Sequence, residues 1–305
     1  MVETEKTDGA ETRCGFAAII GAPNAGKSTL VNKLVGAKIS IVSHKVQTTR
    51  ARIRAIYMSG MSQVVLVDTP GIFKPRRKLD EAMVGNAWGG ATEADAVVLI
   101  VDARRGADEE VYAIIENFKV QHLKAILVIN KIDLLLAEKL LAISQELNEL
   151  YSFTETFMVS ALTGSGVEKL GERLADLMPL GPWLYPEDQT ADVHLRFIAS
   201  EITREKIYER LHEELPYSST VETEAWEEHP TNGSVKISQT IFVERDGQKA
   251  IVLGKGGAQI KLLGQLARAE MEESFGRKVH LFLFVKVREN WAQDPERLRM
   301  MGLEL

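Results

Sequence analysis

Cysteine is nearly missing from this chain: Cys14 stands alone among 305 residues. One thiol excludes an internal disulfide framework and a Cys-rich zinc site. It predicts a reducing compartment and no disulfide-linked partner. Long hydrophobic runs are missing as well. The longest candidates, residues 96–101 and 125–129, are strand-sized and fall far short of the ~18 residues a membrane helix needs. The opening Met-Val-Glu-Thr-Glu-Lys is polar and acidic, unlike a secretory signal, so a cytoplasmic location is expected. Excess positive charge is absent: the net charge of -6 removes gross basicity as an argument for nucleic acid, though a local basic patch stays open. The histidines (His44, His122, His194, His212, His229, His280) show no metal-ligand spacing. There is no internal repeat and no low-complexity tract. Hydrophobic residues at 45% and charged residues at 26% are ordinary for a globular protein, and 305 residues exceed one ordinary core, so two domains are expected.

Residues 1–14 read as a polar, flexible tail. From 15 to 178 short apolar runs (16–20, 64–67, 96–101, 125–129, 157–159) alternate with amphipathic stretches (30–35, 109–118, 138–150, 167–177). Near-continuous apolar strands joined by helices predict an α/β domain with a mostly parallel six-stranded sheet covered on both faces. The alternating stretch 52–57, a short Ser-Gly turn before 64–67, predicts one antiparallel edge strand. Residues 179–190 carry three of the nine prolines and read as a stiff linker. Residues 191–305 predict an α+β module: a helix over 195–215, strands near 217–226 and 235–243, a helix over 258–275, a strand over 279–287 and a short C-terminal helix. The first of these helices has an apolar stripe (Leu195, Ile198, Ile202, Ile207, Leu211), while Glu and Arg/Lys alternate on its other side. Because basic residues do not dominate that side, the pattern argues against membrane-surface binding, and the acidic stretch 222–228 with Trp226 reads as a solvated strand-and-loop face.

The first domain carries Gly21-Ala22-Pro23-Asn24-Ala25-Gly26-Lys27-Ser28, which fits G-x-x-x-x-G-K-[ST] between a strand and a helix entered through Thr29. Its glycines let backbone N–H groups turn inward around an oxyanion, and the helix start adds the positive end of its dipole. Lys27 then reaches the terminal phosphates and the Ser28 hydroxyl ligates Mg2+. Asp68-Thr69-Pro70-Gly71 ends an apolar run. Alone it is equally a good turn sequence. After a phosphate loop it places a carboxylate at a strand tip, behind the metal's direct ligands, and the Gly71 amide at a γ-phosphate. Asn130-Lys131-Ile132-Asp133 follows the run 125–129. The Asp133 carboxylate can accept hydrogen bonds from the ring N–H and exocyclic amine of guanine. Adenine offers neither donor in that geometry and leaves the carboxylate desolvated. The Lys131 stem can lie against the base or ribose. Ser160-Ala161-Leu162 brings a backbone N–H to the guanine carbonyl, though a serine at a strand end is common by itself. In Gln47-Thr48-Thr49-Arg50 a hydroxyl for Mg2+ is expected from Thr49, with Thr48 as the alternative.

These elements, in this order, resemble the translation-factor-related GTPases of the P-loop superfamily over residues 15–178. The resemblance implies GTP and GDP as ligands and hydrolysis carried by Lys27, Asp68, Gly71 and Thr49. An ATP-dependent kinase or ATPase is the rival, and residues 130–133 speak against it. The residue after Gly71 is Ile72, where Ras-like enzymes carry a glutamine that orients the attacking water, so slow intrinsic hydrolysis is expected. Asn24 stands where related enzymes use an asparagine to help hold an activating K+.

In the second domain Gly254-Lys255-Gly256-Gly257 reads as a strand end, a G-x-x-G loop and a helix start reaching Gln259. Such a loop clamps the backbone of single-stranded nucleic acid in KH domains. From Arg245 to Arg268 five basic residues (Arg245, Lys249, Lys255, Lys261, Arg268) face one acidic residue, Asp246. That local excess is the electrostatic footprint the overall charge conceals. The coupling of the two domains is similar to the Era family of bacterial ribosome-assembly GTPases. The likeness extends through Ala199-Ser200-Glu201-Ile202, Glu214-Leu215-Pro216-Tyr217-Ser218, residues 243–249, Lys286-Val287-Arg288 and Trp291, and spans about 15–302. It implies a type II KH fold and binding near the 3′ end of small-subunit ribosomal RNA. It also implies a role in maturing that subunit and loose association with the inner membrane. A γ-phosphate and Mg2+ are expected to order residues 37–50 and 69–80, so that nucleotide state gates RNA binding. A passive RNA-binding module is the second rival. A monomer is expected.

Overall fold

The computed structural model describes residues 11–43, 45, 48–50, 52–75, 78–212, 214–295, 298 and 303. Most of the expected tail, residues 1–10, and Gln47 therefore lie outside the described residues. The chain groups into two compact units that do not follow a contiguous division. The first comprises the described residues of Met1–Ala37, Ile53–Ile72 and Ala87–Asp192; the second comprises those of Lys38–Arg52, Phe73–Asn86 and Val193–Leu305.

In the first unit six strands form one sheet: β1 (Arg13–Ile20), β2 (Ile53–Ser59), β3 (Ser62–Asp68), β4 (Ala96–Asp102), β5 (Ile126–Asn130) and β6 (Thr156–Val159). Their order is β2-β3-β1-β4-β5-β6. All pairings are parallel except the β2–β3 hairpin. Every residue of β3, β4 and β5 is buried, as strands covered on both faces require. Ile114, Ile115 and Phe118 of α3 (Glu109–Gln121) and Leu140 and Leu147 of α4 (Ala137–Leu150) pack on Ala18, Ile20, Leu99, Leu127 and Ile129. Helices α1 (Lys27–Val35) and α5 (Val167–Leu177) pack on each other and on β2 and β3. Strand β1 takes in Arg13 and Cys14, which the sequence reading leaves in the tail. Helix α2 (Lys78–Glu93) is also new, because Gly85, Gly89 and Gly90 lower its intrinsic propensity.

The proline-rich stretch is less a free spacer than a strap within the first unit. Ala191 bridges Ala55, the Ile56 N–H donates to Thr190 O at 2.9 Å, and the Asp192 N–H donates to Arg54 O at 2.9 Å. These bonds cap the outer edge of β2, a row that would otherwise stand open to strand addition. Fully buried Gln63 fixes the middle of the strap: its Nε2 donates to Tyr185 O at 2.8 Å and its Oε1 accepts from Leu184 and Tyr185 N–H.

The second unit is built on α6 (Leu195–Arg210), β7 (Ser219–Glu228), β8 (Val235–Val243), α7 (Asp246–Leu253), α8 (Ala258–Phe275) and β9 (Val279–Val287). The sheet runs β7-β8-β9, antiparallel then parallel. One correction to the sequence reading belongs here. The G-x-x-G loop follows helix α7, not a strand end: its glycine neighbour hid an eight-residue helix. In the middle of α6, Arg204, Glu205, Lys206 and Tyr208 are buried along with Ile202 and Ile207, because Lys38, Val42, Lys45 and Thr48 lie against this stretch. Glu205 accepts from Lys38 Nζ at 2.5 Å and from the Val42 N–H at 2.8 Å. Lys206 pairs with Glu270 at 2.5 Å, Lys45 Nζ donates to Tyr208 O and Leu211 O, and Arg204 donates to Thr48 O. The Arg50 guanidinium donates to Ser219 O at 2.8 Å, to Tyr208 Oη and Pro216 O at 3.2 Å each, and sits 5.3 Å over the Trp291 ring. Trp291 in turn shares a small core with Leu79, Met83, Leu298 and Leu303. The C-terminal helix expected beyond it falls largely outside the described residues.

Candidate functional site

Parallel strands deliver their C-terminal tips to one end of the first sheet, and the sequence-predicted residues of the first unit collect there. The loop from β1 to α1 turns through two left-handed residues, Asn24 at φ 63° and Gly26 at φ 101°. Gly26 is required by space as well as by φ: a Cβ there would lie 2.2 Å from Asn130 Nδ2. Lys27 is buried, and its Nζ donates to Gly21 O at 3.0 Å and Ala22 O at 2.9 Å, so the loop wraps its own cation. Burial pushes the Lys27 pKa down to about 8, against the pull of neighbouring Asp68. Asp68 ends β3 with no exposure, paired in register with Ile19, and Thr69 Oγ1 donates to Ile19 O at 2.8 Å. Pro70 is buried beside it. Gly71 packs so tightly that a Cβ would meet Pro23 at 3.0 Å. The Ile72 N–H donates to Gly21 O at 3.1 Å while its side chain joins the core, presenting no polar group.

Asn130 closes the arrangement. Its Nδ2 donates to Ala25 O at 2.8 Å and its Oδ1 accepts from the Ala161 N–H at 2.9 Å. One buried amide thus ties the phosphate loop, the tip of β5 and the tip of β6. Lys131 sits at φ 65° and donates to Asn24 O at 2.6 Å. Asp133 is exposed beyond it. Ser160 is buried, and its Oγ accepts from the Thr163 N–H at 3.2 Å.

Sequence reasoning missed Asp102. It ends β4, is paired in register with Asn130, and accepts from Lys131 Nζ at 2.7 Å and from Arg104 Nη2 at 2.9 Å. Burial would raise its pKa, but the hydrogen bonds from Arg104 and Lys131 outweigh burial and hold the carboxyl at about 2. The signal was available: a carboxylate closing an apolar strand next to the strand that carries residues 130–133.

The donor chemistry fits a magnesium nucleoside triphosphate. The glycine-opened loop and Lys27 suit phosphate oxygens, and the Ser28 hydroxyl is a hard oxygen donor of the kind Mg2+ takes, with the Asp68 carboxylate near enough to act on Lys27. Thr49, the other expected Mg2+ hydroxyl, belongs to the second unit, buried in the segment anchored on α6, as does Thr48, whose Oγ1 donates to Lys45 O at 2.8 Å.

The second unit carries the other predicted cluster. Helices α7 and α8 are joined by Gly254, Lys255, Gly256 and Gly257, whose glycines all have positive φ. A Cβ on Gly254 would lie 2.6 Å from Gln259 Cβ, whereas Gly256 and Gly257 face open space. Lys255, Lys261 and Arg268 are exposed, Lys249 is half-buried, and exposed Arg245 pairs with Glu214 at 3.1 Å. Exposed Ile251 and Leu262 flank this loop in sequence, one on each helix.

Two family models match the chain: one described as 50S ribosome-binding GTPase over residues 16–131, the other as KH domain over residues 214–292. GTPase Era of Afipia carboxidovorans is 64% identical over 293 residues, 96% of this chain and 95% of the relative. GTPase Era of Brucella suis is 58% identical over 299 residues, 98% of this chain and 96% of the relative. Among solved structures, an Aquifex aeolicus Era point mutant bound to GDP and AlF4- matches with a TM-score of 0.91 at 37% identity, covering 96% of this chain and all of the other. Era in complex with MgGDPNP and nucleotides 1506–1542 of 16S ribosomal RNA matches with the same values.

Proposed function

The chain belongs to the Era family of GTPases, and from that premise we propose how its residues divide the work of a GTP-driven, RNA-binding assembly factor. The enzyme binds GTP and GDP and hydrolyses GTP. In our reading residues 21–29 wrap the phosphates, Lys27 leaves its loop carbonyls for the β- and γ-phosphate oxygens, and the Gly71 N–H meets the γ-phosphate. Ser28 and Thr49 would hold Mg2+, with the Asp68 carboxylate behind them, and the ion would supply positive charge against the charge that builds on the transferred group. Asp133 selects guanine, Lys131 lies against the base, and the segment Ser160-Ala161-Leu162 brings a backbone N–H to the carbonyl edge. The observation that carries this assignment is Asn130, which holds the phosphate loop and both base-side loops with two hydrogen bonds of 2.8 and 2.9 Å. Ile72 supplies no polar atom for the attacking water, so intrinsic hydrolysis is slow and a partner or ion completes the site.

The second unit takes single-stranded RNA across Lys255, Gly256 and Gly257, with Arg245, Lys249, Lys261 and Arg268 along the phosphates and Gly254 and Gln259 shaping the loop. The RNA is the 3′ end of small-subunit ribosomal RNA, and the enzyme acts in maturing that subunit. This rests on the basic loop here and on the RNA bound by the Era structure described above. Residues 38–50 hold both the Thr49 hydroxyl and the anchors to α6. A γ-phosphate that recruits Thr49 therefore competes with α6 for one short segment, and that competition gates RNA affinity. We further read the protein as a cytoplasmic monomer whose membrane association, if captured by vesicle flotation, is peripheral. Among the described residues no helix is long and apolar enough to cross a membrane. The deciding experiment measures affinity for a single-stranded ribosomal 3′-end oligonucleotide with a non-hydrolysable GTP analogue and again with GDP. Different affinities support gating; identical ones leave a passive RNA-binding module.

A further inference from the structure

Beyond the residues the motifs name, the tip of β4 carries a carboxylate with an unassigned task. Asp102 is 4% exposed. A charge so buried persists only when its oxygens are filled, and these are: Lys131 Nζ at 2.7 Å, Arg104 N–H at 3.0 Å, and Arg104 Nη2 at 2.9 Å and Nε at 3.3 Å. Two side-chain cations are thereby drawn to one carboxylate. A second carboxylate, Asp133, lies exposed nearby and makes no side-chain hydrogen bond or ion pair among the described residues. It is nonetheless close enough to contribute to the field on Arg104. Lys131 also needs holding: a lysine at φ 65° is in a region that side chains disfavour, and among the described residues its ammonium is fixed between Asn24 O and Asp102.

We propose that Asp102 is a positioning residue of the base subsite: it takes up the Arg104 and Lys131 cations, which leaves Asp133 free for the donors of guanine. This inference rests on the reading of Asp133 as the guanine selector. Without the Asp102 charge, Arg104, which already feels the field of Asp133, has that carboxylate to turn to, and Asp133 meets the base already paired.

A purely structural role for Asp102, shaping the turn at Arg104, is separable. Asp102→Asn keeps an oxygen for the Arg104 N–H and removes the charge. Hydrolysis of GTP and of ITP, which lacks the exocyclic amine, is followed in the full-length protein, with thermal unfolding as a check on folding. Asp102→Asn is expected to raise KM for GTP about tenfold, the loss of one charge-assisted hydrogen bond, while KM for ITP moves little and kcat at saturation stays unchanged. The preference for GTP over ITP then shrinks. Equal rises in both KM values, or none, overturn the inference. Should Asp102→Asn fail to fold, Asp102→Glu carries the test: its carboxylate still reaches both cations and must retain the wild-type preference, and a lost preference is equally fatal. Wild-type protein without any GTP-over-ITP preference would instead undo the Asp133 assignment itself.

Discussion

Asn130 is buried, and its amide holds two main-chain groups: the Ala25 carbonyl at 2.8 Å and the Ala161 N–H at 2.9 Å. Asn130→Ala strips both. An orphaned buried backbone group costs about 1–3 kcal/mol, and some water enters the gap, so the expected loss is about 2–4 kcal/mol. For a unit of this size that corresponds to a fall in Tm of roughly 5–15 °C. The loss must appear without any nucleotide, because the bonds join protein to protein. Native-state hydrogen exchange on the nucleotide-free protein is the assay that resolves it. Amides of β1, β5 and β6 should exchange faster, while those of β7, β8 and β9 keep their protection, since cooperative units open separately. Asn130→Asp should be worse still, as it sets a carboxylate against the Ala25 carbonyl. If the nucleotide-free protein exchanges like wild type and only GTP affinity drops, Asn130 touches ligand alone, and its assignment as the tie among three loops is wrong.

Two further outcomes concern the phosphate loop. With Lys27 lowered to about 8 in the nucleotide-free protein, phosphates should restore its proton. The free form is then mostly neutral above that pH and the bound form charged, so binding takes up about three-quarters of a proton at about pH 8.5 and close to none at about pH 6.5, and affinity falls as pH rises. Calorimetry in two buffers of different ionisation enthalpy reads this directly; no proton uptake at the higher pH refutes it. For Asn24, we expect GTP hydrolysis to run faster in K+ than in Na+ at equal ionic strength, and equal rates remove the ion from the mechanism.

The identities of the reactive groups lay in the chain order. A glycine-rich loop after an apolar run, an aspartate ending the next, and Asn-Lys-x-Asp ending another are local patterns, because each strand tip is set by where its own apolar run stops. The six-stranded, mostly parallel sheet followed from the same alternation. Elements with weak local signals were less legible: α2 is diluted by three glycines, and α7 is too short for a clear period and ends in a glycine loop.

By itself, then, the sequence determined which strands end in functional residues and which half carries a basic loop, since hydrophobic period and glycine placement act over a few residues. Only the tertiary structure decided who meets whom. Asp102 gained its task because β4 lies beside β5, and Asn130 because three strand tips converge. Arg204 and Glu205 of α6 are buried because Thr48 and Val42, more than 150 positions earlier in the chain, meet them. Contacts between segments so far apart depend on the packing of whole elements, and no local pattern encodes that.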